Sequence, residues 1–319
     1  TRKHAKQATM TALLPETGPD TPVVRFAPSP NGLLHLGHAR SALLNARFAE
    51  KKGGTFLLRI EDIDRDRSRP EFETAIFDDL HWLGLDWPEP VRRQSDRFDS
   101  YAQALKELDR LGLIYPAFLS RAEIKAKVAE EEASGTPWPR DPDGAPLYPG
   151  TEREMSFAER ATRIASGAPF AWRLDMGRAL TGLGGPLSWM EAGEADGPAN
   201  AHPADPAAWG DVILARRDTP ASYHLSVVLD DDDQKITDVI RGQDLSAATA
   251  IHRVLQALLG LKAPVYRHHR LVVDEAGRKL SKSDGDTALC ALRAAGHGPG
   301  EVARMAGIGA DLRPFASSA

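Results

Sequence analysis

The chain has 319 residues, 42% hydrophobic and 27% charged, with a formal net charge of −5 and one cysteine, Cys290. A chain this long buries one large core or two to three modest ones. The acidic balance excludes a generally basic nucleic-acid surface, the lone cysteine excludes an internal disulfide or cysteine-rich metal site, and no apolar run approaches the roughly 18 residues of a membrane span.

In chain order, TRKHAKQATM lacks the apolar centre of a secretory signal, and residues 1–20 read as a flexible leader. A cytoplasmic, reducing location is the expectation. PVVRFAP, residues 22–28, reads as a short buried strand closed by prolines. GHARSALLNARFAEKKGG follows as a helix with Ala39, Leu43 and Ala46 on its apolar stripe, stopped by Gly53 and Gly54. TFLLRIED, residues 55–62, reads as a second buried strand, which completes the strand–helix–strand unit of a parallel sheet.

A helix opened by Ser68 and Pro70 aligns Phe72, Ile76, Leu80 and Leu83. Another, from Ser95, aligns Phe98, Tyr101, Leu105 and Leu108 and stops at Gly112. From Tyr115 to about Gly210 prolines and glycines crowd the text around one helix opened by the capping box SFAE. DVILAR, SYHLSVVLDD and KITDVIRG then read as sheet, AATAIHRVLQALLG as helix, and TALCALRAAG and GEVARMAG as two short tail helices. The four carboxylates Asp230 to Asp233 read as a solvated edge in a turn.

The expected fold is α/β: a Rossmann-type nucleotide-binding parallel sheet, split by an inserted α+β subdomain and closed by a short helical C-terminal tail. The expected boundaries are a leader over 1–20, the first half of the catalytic domain over 21–114, the insertion over 115–210, the second half over 211–262, and a loop with helical tail over 263–319.

Two stretches carry chemistry. In FAPSPNGLLHLGHAR, residues 26–40, His35 and His38 sit where the first strand hands over to its helix. Ligands bind at that end of an open α/β sheet, and free N–H groups at a helix start attract anions. The bland alternative is helix capping. GRKLSKSDG, residues 277–285, gathers Arg278, Lys279 and Lys282 around serines between two glycines. Such a loop can fold over a triphosphate; alone, it is a solvated charged loop.

Taken together, HLGH and KLSKS resemble the two signatures of class I aminoacyl-tRNA synthetases. The wider frames RFAPSPNGLLHLGHARSALLNA and RIEDIDRDRSRPEF are similar to the glutamyl branch, with the likeness running from about Val24 to Arg293. The resemblance implies attack of an amino-acid carboxylate on the α-phosphorus of ATP with departure of magnesium pyrophosphate, so catalysis is orientation plus charge stabilisation. It implies that Lys282 stabilises phosphate charge, that Lys279 and Ser281 hold the loop on ATP, and that His35, Gly37 and His38 hold the nucleotide from the opposite side.

Free glutamate carries two carboxylates and one ammonium, so its pocket needs cationic donors and one anion. Arg25, Phe26, Ala27, Pro28, Ser29, Glu61, Tyr223 and Arg241 match the glutamate-binding positions of the family. Glu61 is expected to take the ammonium, Arg25 and Arg241 to offer planar forks to carboxylates, and Tyr223 to add a hydroxyl. The rival readings are a surface ion pair for Glu61, a core position for Tyr223 and a strand-end cap for Arg241.

After Ser283 the chain holds two short helices, against the roughly 100 residues of an anticodon-reading domain. That architecture resembles the glutamyl-Q tRNA(Asp) synthetases. The implied activity is ATP- and Mg2+-dependent, tRNA-independent activation of L-glutamate, then transfer to queuosine in the anticodon loop of tRNA(Asp). The alternatives are a truncated glutamyl-tRNA synthetase charging tRNA(Glu), a small-molecule nucleotidyltransferase, and a non-catalytic RNA-binding relic.

The chain departs from that family where many members bind zinc: those positions hold Ala117, Leu119, Tyr148 and Glu152. Alanine and leucine offer no ligand atoms, so no structural zinc is expected, and Ala117, Phe118 and Leu119 are expected to form a small apolar cluster instead. The expected partners are L-glutamate and queuosine-bearing tRNA(Asp), with no membrane and a monomeric state. Arg92, Arg93, Lys106 and Arg110 are the candidate RNA-contacting cations.

Overall fold

The computed structural model describes residues 21–194, 198–273 and 287–309. The expected leader and the GRKLSKSDG loop lie outside the described residues. The chain opens with β1 (Val23–Phe26), buried along its whole length, then α1 (Leu36–Lys52), then β2 (Thr55–Ile60), which pairs parallel to β1. Gly53 stops α1 in the left-handed region, at φ 62°, and its N–H reaches Ala49 and Glu50. A residue with a Cβ resists that conformation. Pro70 opens α2 (Pro70–Trp82) at a position where its missing N–H costs nothing, and β3 (Arg92–Arg93) adds parallel to β2. One 3₁₀ turn from Gln94 then precedes α3 (Phe98–Arg110).

The insertion contains β4 (Ile114–Ala117), α4 (Arg121–Ala133), α5 (Phe157–Ala165), β5 (Ala171–Leu174), α6 (Met176–Leu183), β6 (Ser188–Glu191) and β7 (Asn200–Pro203). Ser156 and Glu159 form the capping box of α5. β4 and β5 pair antiparallel, and β5 pairs with β8 (Ile213–Arg216), so the flanks of the expected insertion form the outer strands of its sheet. The chain continues through α7 (Tyr223–Asp233), β9 (Asp238–Gly242), α8 (Thr249–Leu259) and β10 (Val265–His269). β9 and β10 are parallel, and Thr237 donates its N–H to Val23 at 2.9 Å, which draws β9 alongside β1. β6 joins the far edge of β10.

The stretch SYHLSVVLDD overturns its expected strand. Its apolar residues alternate, but Ser222 caps a helix start by accepting from Leu225, and α7 buries Leu225, Val227 and Val228 against α8. Tertiary burial overrides the β preference of the two valines. Asp230 and Asp231 therefore lie in the last turn of a helix and are buried at 1% and 6% exposure, not on a solvated edge; Asp233 alone of the run is exposed.

The tail helices α9 (Leu289–Ala294) and α10 (Pro299–Met305) pack Leu289, Leu292, Val302 and Ala303 into the core formed by β1, β2 and α1. No helix among the described residues is long and apolar enough to cross a membrane.

Candidate active site

A cleft of about 620 Å³ opens where β1, β2 and β9 end and α1 begins. Arg25, Phe26, Ala27, Pro28, Ser29, His35, Gly37, His38, Glu61, Tyr223 and Arg241 all line it. Lys279, Ser281 and Lys282 lie outside the described residues. The chain leaves the cleft wall at Leu271 and Val272 and returns with Ala288 in backbone pairing with His35 and Leu289 donating to Leu34 at 2.8 Å.

The two histidines cap the start of α1. His35 Nδ1 accepts from the Gly37 N–H, and His38 Nδ1 accepts from the His35 N–H, each at 3.1 Å. An accepting Nδ1 leaves the proton of the neutral ring on Nε2, so each ring has an Nε2–H with which to donate. Gly37 leaves room for this cap, because a Cβ there would fall 2.9 Å from the His35 ring and push it aside.

On the other wall, Arg25 and Arg59 converge on one carboxylate. Arg25 Nε and Nη2 donate to the two Asp231 oxygens at 3.0 and 3.3 Å, and Arg59 Nη1 donates to Asp231 Oδ1 at 2.9 Å. Burial alone would raise the Asp231 carboxyl; Arg25 and Arg59 reverse this and hold it below its ordinary value. Asp230 accepts from Gln94 at 2.9 Å and the Tyr101 hydroxyl at 2.8 Å. Glu61 is no surface ion pair: it is tucked against Arg59 at 3.3 Å, with burial pushing its carboxyl up against the pull of Arg59 and Arg25.

Arg241, near the end of β9, donates to the Tyr223 hydroxyl (3.2 Å), the Leu245 carbonyl (3.1 Å), Thr249 Oγ1 (2.7 Å) and His268 Nε2 (3.2 Å), and meets His252 Nδ1 at 3.3 Å. It anchors a wall of the cleft and does not merely cap a strand. Sequence reasoning missed Asp231, Arg59, Thr249, His252 and His268. The doubled histidine at the end of β10 was the one local signal, since strand ends of this sheet face the cleft.

A second cleft of about 500 Å³ shares Ser29, Asn31, Glu61 and Tyr223 with the first, and Tyr148, Arg173 and Trp209 line it from the insertion side. In the insertion, Glu152 is buried at 3% exposure and accepts from the Tyr148 hydroxyl (2.7 Å), Thr151 Oγ1 (2.9 Å) and the Phe118 N–H (3.0 Å). Ala117 packs with Tyr115 and Tyr148, with Leu119 against them. Phe118 leaves the expected apolar cluster, because its ring meets Phe170 and the Arg163 guanidinium instead. Among the described residues no three histidine, cysteine, aspartate or glutamate side chains group to hold a metal ion.

Three of the candidate RNA cations are engaged in ion pairs: Arg92 with Asp233, Arg93 with Glu73 and Arg110 with Glu107.

The model of the catalytic domain of class I tRNA synthetases (E and Q) matches residues 22–178 and 196–305. A glutamyl-Q tRNA(Asp) synthetase of Rhodobacter capsulatus is 45% identical over 293 residues, 90% of this chain and 100% of that protein. This chain belongs to the class I tRNA synthetases, in the glutamyl-Q tRNA(Asp) synthetase family. The synthetase is thereby a ligase. It is also 39% identical to glutamate–tRNA ligase 2 of a Methylobacterium species, over 89% of this chain and 59% of that one. The crystal structure of the glutamate–tRNA synthetase from Elizabethkingia anophelis superposes with a TM-score of 0.68 at 30% identity, covering 83% of this chain and 53% of that chain. The synthetase thus spans between half and three-fifths of the length of these two relatives.

Proposed function

We propose that this synthetase activates L-glutamate with ATP, without tRNA, and passes the glutamyl group to queuosine in the anticodon loop of tRNA(Asp). The observation that carries the reading is one cleft lined by Glu61, Arg25 and Arg241 together with the imidazoles of His35 and His38. A carboxylate for the ammonium beside cationic forks is the complement of an amino acid with two carboxylates and an ammonium.

In the first step a glutamate carboxylate oxygen forms a bond to the α-phosphorus, the bond from that phosphorus to the bridging oxygen breaks, and pyrophosphate leaves. Glu61 orients the ammonium, Arg25, Arg241 and Tyr223 orient the carboxylates, and the backbone from Phe26 to Ser29 forms the floor. His35 and His38 donate from Nε2 to phosphate oxygens, and Gly37 admits the nucleotide. The resemblance assigns Lys279 and Ser281 to binding ATP and Lys282 to stabilising the charge that develops on the phosphates. Mg2+ travels with the ATP phosphates, and among the described residues no three histidine, cysteine, aspartate or glutamate side chains group to hold it.

In the second step an acceptor hydroxyl attacks the activated carbonyl and AMP leaves. The second cleft, which shares Glu61 and Tyr223 with the first, is where that acceptor enters. The domain boundaries given above, a monomeric state and a cytoplasmic location belong to the same reading.

The test is pyrophosphate exchange into ATP with glutamate as the sole amino acid. Exchange is expected without tRNA; a strict tRNA requirement would favour a glutamate–tRNA ligase. With tRNA(Asp), attached glutamate is expected only when queuosine is present and should survive removal of the 3′-terminal adenosine, with nuclease mapping placing the label on the anticodon-loop fragment. Lys282→Ala should lower exchange about 10²–10³-fold in kcat with the glutamate KM nearly unchanged, as for loss of a donor used in the transition state.

A further inference from the structure

Arg25 and Arg241 face one cleft but are held by opposite means. Arg25 is clamped bidentately by Asp231, so its charge is already met by a carboxylate. Every hydrogen bond of Arg241 goes to an uncharged group, and among the described residues no carboxylate forms an ion pair with it. The ring roles follow from connectivity. A guanidinium only donates, so His252 Nδ1 must accept, and the proton of the neutral ring sits on Nε2, 3.3 Å from His224 Nδ1. His268 gives its Nδ1 proton to Glu191 at 2.6 Å and accepts from Arg241 Nε on its other nitrogen. Glu191 thus steadies Arg241 through an imidazole rather than by direct pairing. His252 and Thr249 are buried at 1% and 0% exposure, so water does not dilute the effect.

We propose that His252 is a specificity-determining positioning residue: with His268 and Thr249 it fixes Arg241 through neutral acceptors, which leaves the guanidinium charge reserved for a free carboxylate of the amino acid and refuses the corresponding carboxamide. This rests on the reading of the cleft as the glutamate site. A carboxylate against Arg241 would spend that charge inside the protein, and the difference between an anionic and a neutral substrate group would shrink.

Asparagine places Oδ1 where histidine has Nδ1, and aspartate differs from asparagine by charge alone. Amino-acid-dependent pyrophosphate exchange is therefore measured with glutamate and with glutamine for His252→Asn and His252→Asp. His252→Asn should keep the glutamate-over-glutamine ratio of kcat/KM within about threefold of the parent, while His252→Asp lowers it at least about tenfold, through the glutamate KM. Equal ratios in the two variants would overturn the proposal, because lost packing affects both alike. If His252→Asp does not fold by thermal melting, Thr249→Ser and Thr249→Asp make the same comparison at the Nη2 side and decide it in the same way. Arg241→Gln separates the two levels: a raised glutamate KM with indistinguishable Asn and Asp variants removes this inference alone, whereas an unchanged glutamate KM in Arg241→Gln removes the glutamate-site reading with it.

Discussion

The cleft and the insertion each turn on a buried carboxylate, and the two are satisfied by opposite kinds of partner. Asp231 is surrounded by the guanidiniums of Arg25 and Arg59, whereas Glu152 collects a phenol, a hydroxyl and a backbone N–H. Taking away a charge-paired carboxylate orphans buried cations; taking away a carboxylate that binds neutral donors leaves groups that tolerate a neutral acceptor. The cleft is therefore rigid and intolerant, and the insertion is stapled but replaceable.

Asp231→Asn should show the largest effect. It leaves Arg25 and Arg59 short of a counter-charge in a site where Arg59 is fully buried, so unfolding in urea should reveal a loss of about 3–5 kcal/mol. Freed from its clamp, Arg25 loses its aim, and glutamate-dependent exchange should fall about a hundredfold in kcat/KM. A stability loss under about 1 kcal/mol would mean that the pair contributes no more than a surface bridge and would break the contrast.

Glu152→Gln comes next. Glutamine keeps one acceptor oxygen but turns the other into a donor facing the Tyr148 or Phe118 side, so a loss of about 1–3 kcal/mol is expected. Hydrogen exchange should quicken around β4 and the loop carrying Tyr148, with glutamate-dependent exchange unaltered. A drop in that activity comparable to Asp231→Asn would show that the hub of the insertion is coupled to the cleft.

The same contrast explains what was legible in the sequence. The histidine turn could be read because its geometry is local: Gly37, His35 and His38 bond to one another within three residues. The βαβ unit was equally plain, since Gly53 and the buried runs of β1 and β2 announce their own limits. α7 was hidden because its apolar residues alternate while burial comes from α8, the next α-helix, rather than from its own sequence pattern. The Asp230–Asp233 run looked solvated because the partners of Asp231, Arg25 and Arg59, stand 206 and 172 positions away. The neutral setting of Arg241 is distributed in the same way over α8 and β10. Glu152 could not be read as a hub either, since the Phe118 N–H that completes it comes from 34 residues upstream.

A third buried carboxylate has no hydrogen-bond donor and only a longer guanidinium contact, and it sharpens the rule by its sign. Asp79, on α2, is fully buried, neither oxygen has a hydrogen-bond donor among the described residues, and Arg293 of α9 stands 3.6 Å off. Burial pushes its carboxyl up to about 6, Arg293 pulling the other way and Asp78 adding to the rise. The native state therefore holds this proton to higher pH than the unfolded chain, whose carboxyl titrates near 3.8. Stability from this group is greatest below that value, falls as pH rises toward about 6 and stays reduced above. Asp79→Asn should remove that slope and, at pH 8, raise the unfolding free energy by about 1–3 kcal/mol, a gain where the other two substitutions lose. Urea titrations at pH 5 and pH 8 check it: a variant less stable than the parent at pH 8 would show that the long Arg293 contact outweighs desolvation and that Asp79 belongs with Asp231 after all.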